Sequence, residues 1–231
     1  MRLVSPISFV LLVGSLSACA DKGDEGMFIL NNTAAPVGGT CTLTGDLAQP
    51  FTATGEISHR AAAVGAGYIL TPLIESRITA NAGAEAERTI HLEGANVTLT
   101  VANGAALPGR TALFAGSIAP NGGSTNVAFE VLSASLIGMF GSATQNVEVV
   151  ANIAVYGTLG GGRIDAEPFQ YPITIIGDNN GITFGTTTLC SSTTLGTRTG
   201  NPCNPYQDGT VDCCQPTAGG NPVCPAVAET P

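Results

Sequence analysis

Between residues 96 and 101, and again between 147 and 159, apolar residues fall on every second position. Val97, Leu99 and Val101 alternate with Thr98 and Thr100, and Val149, Ala151, Ile153 and Val155 line one side of the second run. Alternate side chains share a face only in an extended chain, so period two, not 3.6, organises this protein. Further strand candidates lie near 27–30, 41–43, 51–57, 67–78 (interrupted by Pro72), 89–102, 111–118, 126–132, 169–176 and 182–188. Turn chemistry separates them: Pro120-Asn121-Gly122-Gly123, Gly160-Gly161-Gly162 and Asp178-Asn179-Asn180-Gly181 supply the positive φ that tight turns need. No segment keeps a helical period over a dozen residues, and 133–140 (SASLIGMF) offers at most one or two helical turns. Many short strands with regular turns predict an all-β fold, and the expected form is an immunoglobulin-like antiparallel β-sandwich.

Before this domain the chain reads MRLVSPISFVLLVGSLSAC, with Arg2 the lone charge ahead of an apolar run. A charged start, a short apolar stretch and a small-residue end describe a secretory signal. The run is shorter than the roughly 20 apolar residues a spanning helix needs. Leu16-Ser17-Ala18-Cys19 resembles the bacterial lipobox. That resemblance implies cleavage before Cys19 and acylation of its thiol, with two or more acyl chains giving a stable membrane anchor. Ala18-Cys19-Ala20 also fits an ordinary A-x-A cleavage site, which would release a secreted chain. Residues 1–18 are thus read as a lipoprotein signal, 19–26 as a polar tether, 27–190 as the β-sandwich and 191–231 as a Cys-rich tail. In the sorting rule of enteric bacteria, Asp directly after the Cys retains a lipoprotein in the inner membrane. Ala20 holds that place and Asp21 follows, so the resemblance implies the outer membrane.

The charge balance limits the partners. The net charge is −9, with eight Lys and Arg in all, and they form no basic patch. Nucleic acid is therefore not an expected partner, and an acidic surface does not seek anionic headgroups. Trp is absent, so stacking platforms for sugars reduce to Tyr68, Tyr156, Tyr171 and Tyr206.

Seven cysteines are present. Cys19 apart, Cys41, Cys190, Cys203, Cys213, Cys214 and Cys224 make an even set, which in an oxidising compartment implies up to three disulfides. The last four form C-x9-CC-x9-C, and Asn201-Pro202-Cys203 is echoed by Asn221-Pro222-Val223-Cys224. Adjacent Cys213 and Cys214 are poorly placed to bond each other. Two pairings stay open: Cys203–Cys213 with Cys214–Cys224, or Cys203–Cys214 with Cys213–Cys224. Cys41 and Cys190 would then join an early strand to the last, closing about 150 residues. A structural zinc site prefers C-x2–4-C pairs; none occurs, and no metal or other cofactor is expected.

No catalytic set converges in the sequence. His91 lies in an alternating strand and His59 beside Arg60 in a segment read as loop. A G-x-S-x-G elbow is missing, and Gly160-Gly161-Gly162 lacks the Lys-Ser/Thr of a phosphate loop. Asn204, Asp208 and Asp212 carry oxygens suited to calcium, but Gln215 stands where a bidentate Glu is needed. Asp165, Glu167 and Asp178 are read as solvated turn residues. The chain is not expected to be an enzyme; a secreted hydrolase would require His59 or His91 to meet a Ser, Asp or Glu in a pocket.

The stretch 94–132 contains a strand, a loop, Gly116-Ser117-Ile118-Ala119-Pro120-Asn121-Gly122-Gly123 and Val127-Ala128-Phe129-Glu130-Val131. It resembles the immunoglobulin-like domain shared by late-embryogenesis-abundant and WHy proteins. The whole chain resembles lipoproteins of myxobacteria and their relatives, through the lipobox, the EGA-x-V-x-L strand (Glu93 to Leu99) and the Cys-rich end. The resemblance implies a membrane-anchored envelope module with a structural or protein-interaction role, and assigns no catalytic residue. A ligand-binding module for polysaccharide or a small molecule, with a cleft around Tyr156 and Tyr171, is the alternative.

Overall fold

The computed structural model describes residues 26–34, 47–140, 145–177, 185–190, 201, 203–204, 206–209 and 212–218. In chain order the strands are β1 (Met27–Thr33), β2 (Phe51–Thr52), β3 (Gly55–Ser58), β4 (Tyr68–Leu70), β5 (Pro72–Ser76), β6 (Ile90–Val101), β7 (Ala106–Ile118), β8 (Ser124–Asn126), β9 (Phe129–Leu132), β10 (Val147–Leu159), β11 (Gly162–Asp165), β12 (Phe169–Ile176), β13 (Gly185–Leu189) and β14 (Asp212–Gln215). Among the described residues one α-helix, α1 (Ala134–Met139), and two short 3-10 turns, His59–Val64 and Ala86–Arg88, complete the set. The described residues form an all-β fold, as the alternation implies.

The larger sheet runs β3-β12-β10-β6-β7, with β11 added to the end of β10; the smaller runs β2-β1-β5-β8. β4 pairs with β9, and β13 with β14. β10 sits at the centre of the larger sheet, and the four residues singled out on its apolar side, Val149, Ala151, Ile153 and Val155, are all fully buried. They join Ile57, Tyr68, Leu70, Ile74, Ile90, Val97, Leu99 and Ile173 in one core drawn from both main sheets and from the β4–β9 pair.

β6 shows how a long strand keeps its apolar side inward. Ile90 and Leu92 are buried, and so are Ala95, Val97 and Leu99, so the inward parity changes within the strand. The register with β10 steps from Tyr156↔Gly94 to Gly157↔Leu92, leaving Glu93 unopposed. Without such a bulge, one half of β6 would turn its apolar residues to water. Gly94 sits at the step, where a Cβ would lie 2.5 Å from the Ala112 carbonyl oxygen and 2.7 Å from the Tyr156 hydroxyl.

Several expectations are revised. The sheet is not wholly antiparallel: β3 joins β12 in parallel, and β13 pairs β14 in parallel. The apolar run 126–132 is split, β8 pairing with β5 and β9 with β4. β7 begins at Ala106, before the expected start, its register with β6 shifting between Val97 and Leu99. Pro72 opens β5 instead of interrupting a strand, a place where its missing N–H costs least. His59 lies in a 3-10 turn, not a loop; Ser58 caps it by accepting the Arg60 N–H at 3.2 Å, and Gly65 ends it at φ 74°. The helical turns expected at 133–140 are α1, capped by Ser133.

The Pro120-Asn121-Gly122-Gly123 turn forms with φ 62° at Asn121 and 82° at Gly122, and carries the chain from the larger sheet to the smaller. Gly160 and Gly161, at φ 57° and 83°, close the β10–β11 hairpin. None of the helices among the described residues is long and apolar enough to cross a membrane. Cys19, Cys41, Cys224 and Asp178 lie outside the described residues, as do the side chains of Asp212, Cys213 and Cys214.

Candidate functional site

Where β3 and β4 come near each other, residues 204 and 206–208 of the tail lie bonded to one or the other. The Ser58 N–H donates to the Tyr206 carbonyl at 2.8 Å, and the Asp208 N–H donates to the Glu56 carbonyl at 2.8 Å. Between these bonds Gln207 stands opposite Ile57 in an antiparallel bridge. The tail thus makes a single antiparallel bridge, where the Gln207 N–H also closes a turn on the Asn204 carbonyl at 3.0 Å, along the edge of β3 that β12 leaves open.

Side chains complete the contact with β4. Gln207 Oε1 accepts the Ile69 N–H at 2.9 Å, and its Nε2 donates to the Ile69 carbonyl at 2.7 Å. One amide satisfies both backbone groups of one residue, as a neighbouring strand would. Asn204 Nδ2 donates to the Gly67 carbonyl at 2.8 Å and to Gln207 Oε1 at 3.2 Å. Asn204 and Gln207 are 7% and 3% exposed, so their polar atoms must be paired within the protein. Asp208 takes the left-handed conformation at φ 52°, a region Asp tolerates better than most residues.

Asp208 ends a buried chain of hydroxyls. The Tyr68 hydroxyl donates to both carboxylate oxygens at 2.9 Å; the Glu56 N–H and Gln207 Nε2 also donate to them, at 3.0 and 2.9 Å. An ionised carboxylate can only accept. Tyr68 therefore spends its proton on Asp208 and accepts from Tyr171, 3.1 Å away. Tyr171 in turn accepts from Thr52 Oγ1 at 2.8 Å and from Asn32 Nδ2 at 3.0 Å. Asn32 Oδ1 accepts the Thr71 N–H at 2.7 Å. A single ordered network thus runs from β1 and β2 through β12 and β4 to the tail, and hydroxyls polarised in series strengthen one another.

Burial raises the pKa of both tyrosines, that of Tyr68 well above the ordinary phenol range. For Tyr68 the Asp208 charge pushes further the same way. Burial also raises the Asp208 pKa, opposed by the donors Glu56 N–H, Gln207 and Tyr68. Neither tyrosine is an activated nucleophile; the network orders and joins the elements that carry it.

The residues weighed from the sequence are dispersed. Tyr171 is fully buried with Tyr68, ring centroids 6.1 Å apart. Tyr156 follows the opposite parity on β10, on the other face of the sheet, with the Arg163 guanidinium 4.6 Å over its ring. The two therefore do not line one cleft. His91 is exposed on β6, and His59 is half-buried in its 3-10 turn. Asp165 is bound by Arg163 at 2.7 Å on the surface. Asn204 and Asp208, weighed for calcium, make the internal bonds just described. Among the described residues no cluster of three His, Cys, Asp or Glu could hold a metal.

Asn32, Thr52 and Gln207 were not flagged by the sequence. The signal that points to the tail contact is Gln207-Asp208-Gly209, a turn-prone triplet with two hydrogen-bonding side chains in a Cys-framed segment.

No protein-family model matches the chain, and no curated protein is similar to it. A solved protein from Archaeoglobus fulgidus is similar at TM-score 0.32 and 14% identity, covering 46% of this chain and 82% of that one. A likeness that slight carries neither fold family nor function across.

Proposed function

We propose that the protein is a lipid-anchored envelope lipoprotein of the outer membrane, whose immunoglobulin-like β-domain and disulfide-rich tail act as a structural or protein-interaction module. The observation that carries the interaction reading is the docking of residues 204 and 206–208 on β3 and β4: polar groups there engage a turned segment through backbone bonds and specific side chains. Such pairing at a sheet edge is how β-domains take up peptide segments. The anchor rests on Leu16-Ser17-Ala18-Cys19. The stapled tail is supported by Cys190 and Cys203, each in a disulfide; the full set pairs Cys41, Cys213, Cys214 and Cys224 as well. The domain stands off the membrane on the tether 19–26 and carries no enzyme activity.

Separation of membranes from soluble material tests the anchor. Wild-type protein is expected in the membrane pellet and Cys19→Ser in the soluble or secreted fraction; wild-type protein released as a soluble chain would contradict it. Cross-linking on intact cells, with tail-substituted protein as the control, tests the interaction role. A cross-linked envelope protein that depends on the tail supports it, and its absence from both samples counts against it. The ligand-binding alternative gains nothing from Tyr156 and Tyr171, which face opposite sides of the larger sheet.

A further inference from the structure

We infer that Asn103 is a site of spontaneous modification in the folded protein, and that the fold guards its twin, Asn121, against the same reaction. The inference rests on neither the anchor nor the interaction role.

An asparagine followed by glycine carries its own electrophile and nucleophile. The glycine nitrogen attacks the side-chain carbonyl carbon, a C–N bond forms, and the bond to Nδ2 breaks. Ammonia leaves with the proton that the glycine nitrogen gives up, and a succinimide ring remains. Water then opens the ring at either carbonyl, giving aspartate or isoaspartate, and is the only co-reactant. Glycine favours the attack because no Cβ shields its nitrogen. The sequence holds this pair at Asn103-Gly104, Asn121-Gly122 and Asn180-Gly181; the last lies outside the described residues.

Both described pairs are exposed turn residues, so water reaches each of them. Their bonding differs. The Asn121 amide is held at both atoms by the Ala80 backbone: Oδ1 accepts the N–H at 2.9 Å and Nδ2 donates to the carbonyl at 3.2 Å. The Asn121 N–H donates to the Ile78 carbonyl at 2.7 Å, and the Gly122 N–H to that of Ser76 at 3.2 Å. Attack at Asn121 therefore requires the turn to separate from residues 76–80, a different segment of the fold.

Asn103 sits at the tip of the β6–β7 hairpin. Its Oδ1 accepts the Ala105 N–H at 3.0 Å, which draws electrons from the carbon to be attacked and supports the negative oxygen that forms. Its Nδ2, the leaving group, has no partner among the described residues. The Gly104 N–H donates to the Val101 carbonyl at 2.7 Å, a bond inside the same turn. Nothing lies within 4 Å of a Cβ placed at Gly104, so the ring has room. A turn tied only to itself opens locally at small cost, whereas Asn121 must also release a second segment. The product at Asn103 adds one negative charge at an exposed tip, where the fold tolerates it.

The test holds the full-length protein at mildly alkaline pH, folded in one sample and reduced and unfolded in urea in another. Cleavage at Arg88, Arg110 and Arg163 puts Asn103 and Asn121 on separate peptides, and fragmentation places the mass gain of amide-to-carboxyl conversion. In the folded protein Asn103 is expected to convert at least tenfold faster than Asn121. In the unfolded chain the two rates are expected to agree within about twofold. Comparable rates in the folded protein, or an Asn103 that converts only when unfolded, overturn the inference. The same tenfold ratio in the unfolded chain also overturns it, because the difference would then come from neighbouring residues and not from the fold.

Discussion

Gln207 and Ile69, 138 residues apart, are joined as a strand pair is joined, except that one partner is a side-chain amide. Removing that amide leaves the N–H and carbonyl of Ile69 unsatisfied at a partly buried site. An unmade buried hydrogen bond costs about 1–3 kcal/mol. Gln207→Ala is accordingly expected to destabilise the protein by about that amount, measured by denaturant unfolding. Gln207→Glu keeps the acceptor but loses the donor to the Ile69 carbonyl and sets a second carboxylate beside Asp208, so it is not expected to restore stability.

Tyr68→Phe removes the hydroxyl that links Asp208 to Tyr171. The ring keeps its place in the core, while the carboxylate loses a donor and Tyr171 loses its acceptor. The expected cost is again about 1–3 kcal/mol. A double-mutant cycle with Asp208→Asn should give a coupling of about 0.5–3 kcal/mol, the range for residues in one network. Additive effects would mean that the hydroxyl and the carboxylate act separately.

Asp208 makes stability depend on pH. Burial raises its folded pKa above the unfolded value, which is about 3.9. The folded state therefore holds this proton more tightly than the unfolded chain does. Its contribution to stability is fully present below the unfolded value and is lost as pH rises through the folded one. Relative to Asp208→Asn, the wild-type chain should lose stability over that rise. Urea unfolding of both proteins across the pH range checks it, and parallel curves would remove Asp208 as the source.

Gly94 is where β6 changes its inward parity, and the Ala112 carbonyl leaves no room for a Cβ there. Gly94→Ala is expected to cost about 1–3 kcal/mol, as overpacking does. Gly104→Ala provides a contrast: at φ 90° it meets backbone strain, but nothing lies within 4 Å of its Cβ. Thermal unfolding of the two variants separates crowding from strain.

Much of the strand layout was legible because burial on one side of a strand imprints period two on the sequence: β6, β10 and β12 follow directly from it. The parity change at Gly94 was hidden, since a bulge moves the register without disturbing composition. Sheet membership was hidden as well. Val127 and Ala128 read as the middle of one strand, yet they are where the chain leaves β5 for β4, a choice made by partners far away in sequence. The tail contact was the least legible feature. The oxygens of Asp208 and the neighbouring Gly209 suggest a calcium ligand, whereas beside the adjacent Gln207 its donors are Glu56 and Tyr68, 152 and 140 residues distant. Nothing local to the tail encodes those donors.

The proposed anchor and stapled tail are decided by the intact mass of protein taken from membranes, with thiols alkylated before and after reduction. The expected species begins at Cys19 and carries acyl groups, with the other six cysteines alkylated only after reduction. An unacylated chain beginning at Asp21, or thiols that alkylate without reduction, would contradict it.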